Sequence, residues 1–433
     1  MARGAAGGRA EHPGAASPRA LRDRRRDRPG GTVTGVGAAV ATAAAGVTAL
    51  LLALVLTEPL RRLALRRGIT DRPSARKAHT RPTPYLGGVA VALATLTAGT
   101  LTALAGGVLD PVLGVLLGGA ALMCTVGLVD DLRPLSAGLR LCIETPAAAL
   151  VVLVGGHPDI FGGAIDAVLA VVWIVFVTNA FNLLDNMDGA ASSLCVVIAV
   201  FACVTAPAGG RGGLGPVMAA LAGACVGFLF HNRHPARIFL GDAGSLFLGF
   251  TLASSMMVLH DDVGGLAGPA SLVLATLVPT LDTTLVMLSR YRESRPLMQG
   301  GTDHIAHRLR RLGLSVRQVV RSLSVFTVAC CLSAVLVTYG LLAPGVALVA
   351  ACVVGAGTVL LLLEIPSSPV TAAAGAAAPG RMAAADIARS ALPLRPTGGR
   401  RGRSLRPMAM PHSRAGRKAG PLSPTAGTPA APQ

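Results

Sequence analysis

Lysine is all but missing from this chain, Lys77 and Lys418 being the only two among 39 basic residues. Charge of either sign is scarce as well: 14% of residues are charged and 52% hydrophobic, a balance that excludes an ordinary soluble surface. The eight cysteines include no Cys-x-x-Cys pair, and all but Cys142 lie deep in apolar runs. Neither a disulfide framework nor a thiolate metal site is expected from them. The net charge of +18 sits mostly in two tails and in alternate loops, which speaks against nucleic acid as a partner and for a membrane surface.

What is present is a series of uninterrupted apolar blocks rather than periodic faces. Read with a window of about 19 residues, they predict spans over 33–56, 85–106, 109–129, 137–154, 164–184, 189–208, 213–230, 238–259, 265–289, 319–341 and 343–365. The expected fold is all-α, a polytopic integral membrane protein of about eleven transmembrane helices. The first block is too long for a cleaved signal peptide and reads as a retained helix. Residues 1–32 carry eight Arg and residues 366–433 ten Lys or Arg, both in low-complexity sequence. The expected organisation is therefore a disordered basic N-terminal tail (1–32), one polytopic domain (33–365) and a disordered basic C-terminal tail (366–433).

The loops after spans 1, 3, 5, 7 and 9 hold nearly all the loop Lys and Arg, whereas those after spans 2, 4, 6, 8 and 10 hold Arg211 alone. The positive-inside rule puts the odd loops in the cytoplasm, the N-terminus outside and the C-terminus inside. The basic N-terminal tail runs against that orientation, and the internal charges are expected to outvote it. All the acidic motifs that follow then share the cytoplasmic face, so a single active site is expected there in a multi-pass protein of the cell membrane.

The first odd loop keeps Lys77 where the chain otherwise uses Arg, which suits a compact ammonium facing a phosphate. His79 follows it, and Gly87-Gly88 opens the next span, where two glycines allow close approach. Asp130-Asp131 closes span 3, and adjacent carboxylates at a membrane boundary imply a cation or a raised pKa. Asn182, Asp185 and Asp188 recur every third residue, a spacing that on a helix lines an amide and two carboxylates along one side, within reach of a ribose, a base or a metal.

Asp242, in Gly241-Asp242-Ala243-Gly244-Ser245, opens span 8 and is placed to ligate Mg²⁺, which takes one or two carboxylates with phosphate oxygens and water. Asp282, inside span 9, is either a functional group or the buried partner of one. Glu144 reads as structural. His304 and His307, three apart with Arg308 alongside, suit a diphosphate better than zinc.

In this order, Lys77/His79 with Pro-Thr-Pro and Gly-Gly, Asp-Asp, Asn-x-x-Asp-x-x-Asp-Gly, Phe-x-Gly-Asp-x-Gly-Ser and Asp-His-x-x-His, the motifs resemble those of the polyprenyl-phosphate N-acetylhexosamine-1-phosphate transferase family over roughly residues 33 to 365. The resemblance implies transfer of a sugar-1-phosphate from a UDP-sugar to undecaprenyl or decaprenyl phosphate with UMP leaving, and a requirement for Mg²⁺, with Mn²⁺ as a substitute. By motif match it implies Asp242, with Asp185, at the metal, Asp130 and Asp131 as the acid pair near the lipid phosphate, and Asn182 and Asp185 on the nucleotide side. His304, His307 and Arg308 fall to the diphosphate and Lys77 to a phosphate.

The family often carries His-x-His-His in the last loop, where this chain has Ala306 and Arg308 around His307. Asn186-Met187-Asp188 looks more like the GlcNAc-1-phosphate branch than the MurNAc-pentapeptide branch, which is the main alternative. A homodimer is compatible with the resemblance. A cation-coupled transporter is the reading from another class, and it requires polar residues on both sides of a central site.

Overall fold

The computed structural model describes residues 35–71, 83–206, 213–261, 263–297 and 301–366, and within them the chain is almost wholly helical. The helices in order are α1 (Gly35–Arg67), α2 (Gly87–Ala105), α3 (Pro111–Leu132), α4 (Ala137–Gly155), α5 (Ala164–Leu184), α6 (Ala190–Thr205) and α7 (Leu214–Asn232). They continue with α8 (Gly241–Leu259), α9 (Ala267–Ala275), α10 (Leu277–Arg292), α11 (Ile305–Arg311), α12 (Val316–Thr338) and α13 (Pro344–Leu363). A two-residue pairing, β1 (Thr70–Asp71) against β2 (Thr83–Pro84), joins the ends of the first long loop, antiparallel with Thr70 opposite Pro84.

Nine of these helices are long and apolar enough to cross a membrane, and the bent pair α9–α10 makes a tenth. The 16-residue α6 is a shorter apolar helix. Each expected span thus has a helical counterpart, and the protein is an all-α polytopic membrane protein. The tails lie outside the described residues, as do Lys77, His79 and Arg211.

Two spans differ from expectation. The first runs on to Arg67 instead of ending near residue 56, because Glu58 accepts from Arg61 and Arg62 at 2.8 Å each and carries a charged helical extension past the apolar part. The predicted span over 265–289 is broken, α9 and α10 being bent by 66°. Pro279 explains the break: it has no N–H to give, and its ring crowds the carbonyl four residues back, that of Ala275, where α9 ends.

Helix α8 is the centre of the bundle. Its apolar stretch is 89% buried, and it packs on α2, α3, α4, α5, α6 and α7. Small residues let backbones touch, since a Cβ at Gly88 would lie 2.1 Å from the Gly244 nitrogen and one at Gly127 2.1 Å from the Asp242 carbonyl oxygen. In lipid, where burying apolar surface between helices gains little, such close packing is what holds helices together. The outer faces of α4, α5, α12 and α13 present Leu153, Val168, Leu332 and Leu361 outward, as lipid-facing positions require.

Candidate active site

The N-terminus of α8 is where the Asp-Asp, Asn-x-x-Asp and Gly-Asp-x-Gly-Ser motifs meet. Gly241 has φ +72° and a hypothetical Cβ there would sit 2.6 Å from Asp131 Oδ2, so the residue before Asp242 must be glycine for both conformation and space. The first N–H groups of α8 have no partner within their own helix. Asp131, at the end of α3, takes two of them: the Asp242 N–H donates to Oδ1 at 2.9 Å and the Ala243 N–H to Oδ2 at 3.0 Å. A carboxylate also suits the positive end of the helix dipole.

Asp130 turns the other way. Its Oδ1 accepts the Leu135 N–H at 2.6 Å and its Oδ2 accepts Arg140 Nη1 at 2.8 Å. The adjacent carboxylates are therefore split, one compensated by a helix terminus and the other by a guanidinium. Arg140 also lies 3.8 Å from Asp242 Oδ2, which makes it the cation between the two. Sequence reasoning passed over Arg140, although an Arg inside an apolar span is a signal by itself.

The expectation that Asn182, Asp185 and Asp188 line one side of a helix is corrected by where α5 stops. The helix ends at Leu184, and Asp185 is its C-cap with φ −76° and ψ 48°. The three side chains consequently diverge. Asn182 Nδ2 donates to Asp242 Oδ1 at 2.7 Å and to Ser245 Oγ at 2.9 Å. Asp185 stays with the cluster: burial, then the charges of Asp242, Asp131 and Asp188, push its carboxyl up to about 8, against a hydrogen bond from the Gly241 backbone. Asp188 leaves it, accepting from His234 Nδ1 at 2.7 Å and from the Ala236 N–H at 3.1 Å, and so anchors the loop between α7 and α8.

The start of α2 is stitched to the same place. Phe239 N–H donates to the Pro84 carbonyl at 2.9 Å, and the Gly87 and Gly88 N–H groups donate to the carbonyls of Phe239 and Leu240 at 3.1 and 2.8 Å. The loop containing Lys77 and His79 thus leaves and re-enters beside α8, though both residues lie outside the described ones. Tyr85, to which the sequence reading assigned no role, faces this cluster. Burial and the charges of Asp71, Asp131 and Asp242 raise its hydroxyl above the ordinary tyrosine range.

The last loop forms a second polar cluster. Asp303 is fully buried and accepts from Arg290 Nε at 3.1 Å and from Arg295 Nη1 and Nη2 at 2.9 and 3.0 Å. Burial alone would raise its pKa, but the two arginines outweigh it and hold the carboxyl below its usual range. His304 Nδ1 bonds Asp282 Oδ2 at 2.8 Å, and the Ile305 N–H donates to Asp282 Oδ1 at 2.7 Å. Asp282, open to two readings from sequence, is a buried partner of the histidine loop.

His307 is kept neutral, its pKa pushed down to about 4 by burial and by His304 and Arg311. Arg308 corrects an expectation. It is buried and spends its donors on the carbonyls of Asp303, Leu362 and Ile365 and on Ser289 Oγ, tying α11 to α13 and α10. A guanidinium so committed is a brace and not a group held out to a diphosphate. Among the described residues no hydrogen bond or ion pair joins this second cluster to the first, but α10, which carries Asp282, packs against α5, which carries Asn182.

Carboxylates thus converge at a helix mouth inside a polytopic bundle, and comparison with known proteins gives the class to which the chain belongs. The model of glycosyl transferase family 4 matches residues 113–260. A Streptomyces coelicolor protein with a provisional glycosyltransferase name is 41% identical over 287 residues, covering 66% of this chain and 67% of its own. A Bacillus subtilis (strain 168) protein, provisionally named undecaprenyl-phosphate N-acetylglucosaminyl 1-phosphate transferase, is 33% identical over 285 residues, 63% of this chain and 78% of its own. The decaprenyl-phosphate N-acetylglucosaminephosphotransferase of Mycobacterium tuberculosis (strain ATCC 25618 / H37Rv) is 33% identical over 312 residues, 64% and 77% of the two chains. The chain belongs to glycosyl transferase family 4.

Proposed function

We propose that this protein transfers GlcNAc-1-phosphate from UDP-GlcNAc to undecaprenyl or decaprenyl phosphate, releasing UMP, at the cytoplasmic face of the cell membrane. The relatives named above support the reaction class and the acceptor. The observation that carries the site is the excess of negative charge at the mouth of α8, where Asp131, Asp185 and Asp242 converge and Arg140 is the cation in reach.

That excess is also the test of fit for Mg²⁺. Among the described residues no group of three or more His, Cys, Asp or Glu side chains is arranged to hold a metal unaided. Mg²⁺ does not need one, because it commonly takes one or two carboxylates and completes its shell with substrate phosphates and water. Asp242, 38% exposed at its side chain, and Asp185 would hold it. When bound, the ion would neutralise charge on the diphosphate.

The remaining work falls to the chain itself. A phosphate nucleophile approaching a diphosphate must be aligned and its repulsion screened, more than it needs covalent help. Asn182 fixes the Asp242 carboxylate through one oxygen and leaves the other edge turned to Arg140. Asp131 holds the first turn of α8 so that Asp242 cannot drift. His307, being neutral, can accept or donate a hydrogen bond at the diphosphate without adding charge, and Lys77 would supply a cation from the first loop. A transporter would need the intramembrane Asp282 for its cation, and that carboxylate is committed to His304 and Ile305.

Purified protein given Mg²⁺, undecaprenyl phosphate and either UDP-GlcNAc or UDP-MurNAc-pentapeptide should release UMP from the first. Release from the second alone would assign the chain to the pentapeptide branch, and release from neither would refute the proposal. The orientation is checked separately in a cysteine-free background, needed because Cys142 and Cys352 are exposed. A cysteine at Ser136 should react with an impermeant maleimide only from the cytoplasm and one at Asp159 only from outside.

A further inference from the structure

Four histidines among the described residues have Nδ1 hydrogen-bonded, and their partners differ in kind. His157 and His260 use backbone carbonyls one and four residues away, and His234 meets Asp188 at the surface. His304 alone of these four is a buried ring on a buried carboxylate: the ring is 5% exposed, Asp282 is 1% exposed, and they meet at 2.8 Å. Asp282 sits on α10 within a membrane span, where a carboxylate is costly to keep. Its other oxygen receives the Ile305 N–H at the start of α11. An amide or hydroxyl could accept that N–H equally well. Only the ring of His304 gives a reason for the negative charge.

We propose that Asp282 is a positioning residue for His304, holding the proton on Nδ1 and turning Nε2 toward the sugar-nucleotide diphosphate. The inference rests on the transferase reading above. A carboxylate accepts but does not donate, so Nδ1 must be the protonated nitrogen. Nε2 is then the nitrogen left to meet a ligand, with its lone pair free in the neutral ring. Nε2 of His304 has no protein partner among the described residues, and unlike Nε2 of His260 it is not a buried orphan. The frame around the pair leaves little room for the ring to turn: Asp303, the next residue back, is clamped by Arg290 and Arg295, and Arg308 braces the far side of the loop.

Asp282→Asn is the informative change. Asn can still accept the Ile305 N–H through its oxygen, but its amide then donates to Nδ1 and forces the proton to Nε2. Loss of an orienting partner of this kind costs roughly 10–100-fold in activity. The full-length protein in detergent should therefore lose about 10–100-fold in kcat for UMP release, with little change in KM for UDP-GlcNAc and an unaltered thermal midpoint.

The coupling is read by repeating the change in a His304→Gln background, where Asp282→Asn should cost nothing more. If His304→Gln is too slow to assay at steady state, the same cycle is read from single-turnover UMP release at high enzyme concentration. Additive losses would overturn the proposal, and so would a collapse in thermal midpoint for Asp282→Asn, because the carboxylate would then be structural. Full activity in His304→Gln would overturn it by removing the group through which Asp282 acts. A wild-type protein that releases no UMP from either UDP-sugar marks failure of the transferase reading instead.

Discussion

The two polar clusters at one end of this bundle handle charge in opposite ways. In the histidine loop every acid has its counterpart: Asp303 has Arg290 and Arg295, and Asp282 has His304 and a backbone N–H. At the mouth of α8 Asp131, Asp185 and Asp242 converge with Arg140 as the cation in reach, and burial, then the charges of Asp242, Asp131 and Asp188, push Asp185 up to about 8. Asp303 with its two arginines is a frame, complete without a ligand, and beside it lies the Asp282–His304 pair. An under-compensated cluster holds electrostatic energy that a cation and a substrate can relieve, and on that difference the proposed site at the mouth of α8 rests.

Breaking the arginine frame around Asp303 should show the largest effect, on folding. Arg290→Ala leaves Asp303 fully buried with one guanidinium instead of two, and removing one partner of a buried pair typically costs about 3–5 kcal/mol. The thermal midpoint in detergent should drop accordingly, and an unchanged midpoint would mean that the loop is not a frame. Breaking the uncompensated side should spare the fold and cost activity. Asp242→Asn relieves repulsion, so the protein should be at least as stable, while UMP release falls by about 100-fold, close to 2.7 kcal/mol in barrier. Retention of more than about a tenth of activity, a loss of only ~1.4 kcal/mol, would remove Asp242 from the metal.

Arg140 tests the boundary between the two behaviours. Arg140→Gln frees Asp130 and adds to the negative excess, so activity should fall by about 10-fold, the scale of one orienting contact, with the Mg²⁺ concentration for half-maximal activity moving down. An upward move would show that Arg140 helps hold the ion's site together instead of competing with it.

An effect absent at neutral pH, and in that sense the smallest, concerns His307. Its folded pKa, about 4, lies below the ordinary 6.5, so between those values the unfolded chain takes up a proton that the folded chain refuses. The stability due to the neutral ring is therefore complete above 6.5 and lost as pH falls toward about 4. The wild-type thermal midpoint should decline over that window more steeply than that of His307→Gln, and parallel curves would deny the burial of the ring.

Much of this could be read from the chain before folding. Blocks of apolar residues located the helices because each must span about 30 Å of hydrocarbon with its backbone satisfied internally. Acids beside those blocks located the motifs, since such residues are kept near lipid only for a use. Local spacing misled where a helix end intervened. The three-residue rhythm of Asn182, Asp185 and Asp188 suggested one shared face, yet α5 stops at Leu184 and sends Asp188 to His234. Arg308 looked like a ligand-facing cation by its neighbours, and its partners at Leu362 and Ile365 lie more than fifty residues away.

The sequence by itself determined the fold class, the order of the spans and the residue types from which a site could be made, because hydropathy and residue chemistry are properties of short stretches. Only the tertiary structure decided which of those residues meet. Asp131 caps a helix 111 residues distant in the chain, Asn182 reaches Asp242 across 60, and Asp282 finds His304 across 22. Whether a carboxylate is paired or left in excess depends on such contacts, and in a low-dielectric interior that pairing decides whether it serves as frame or as site.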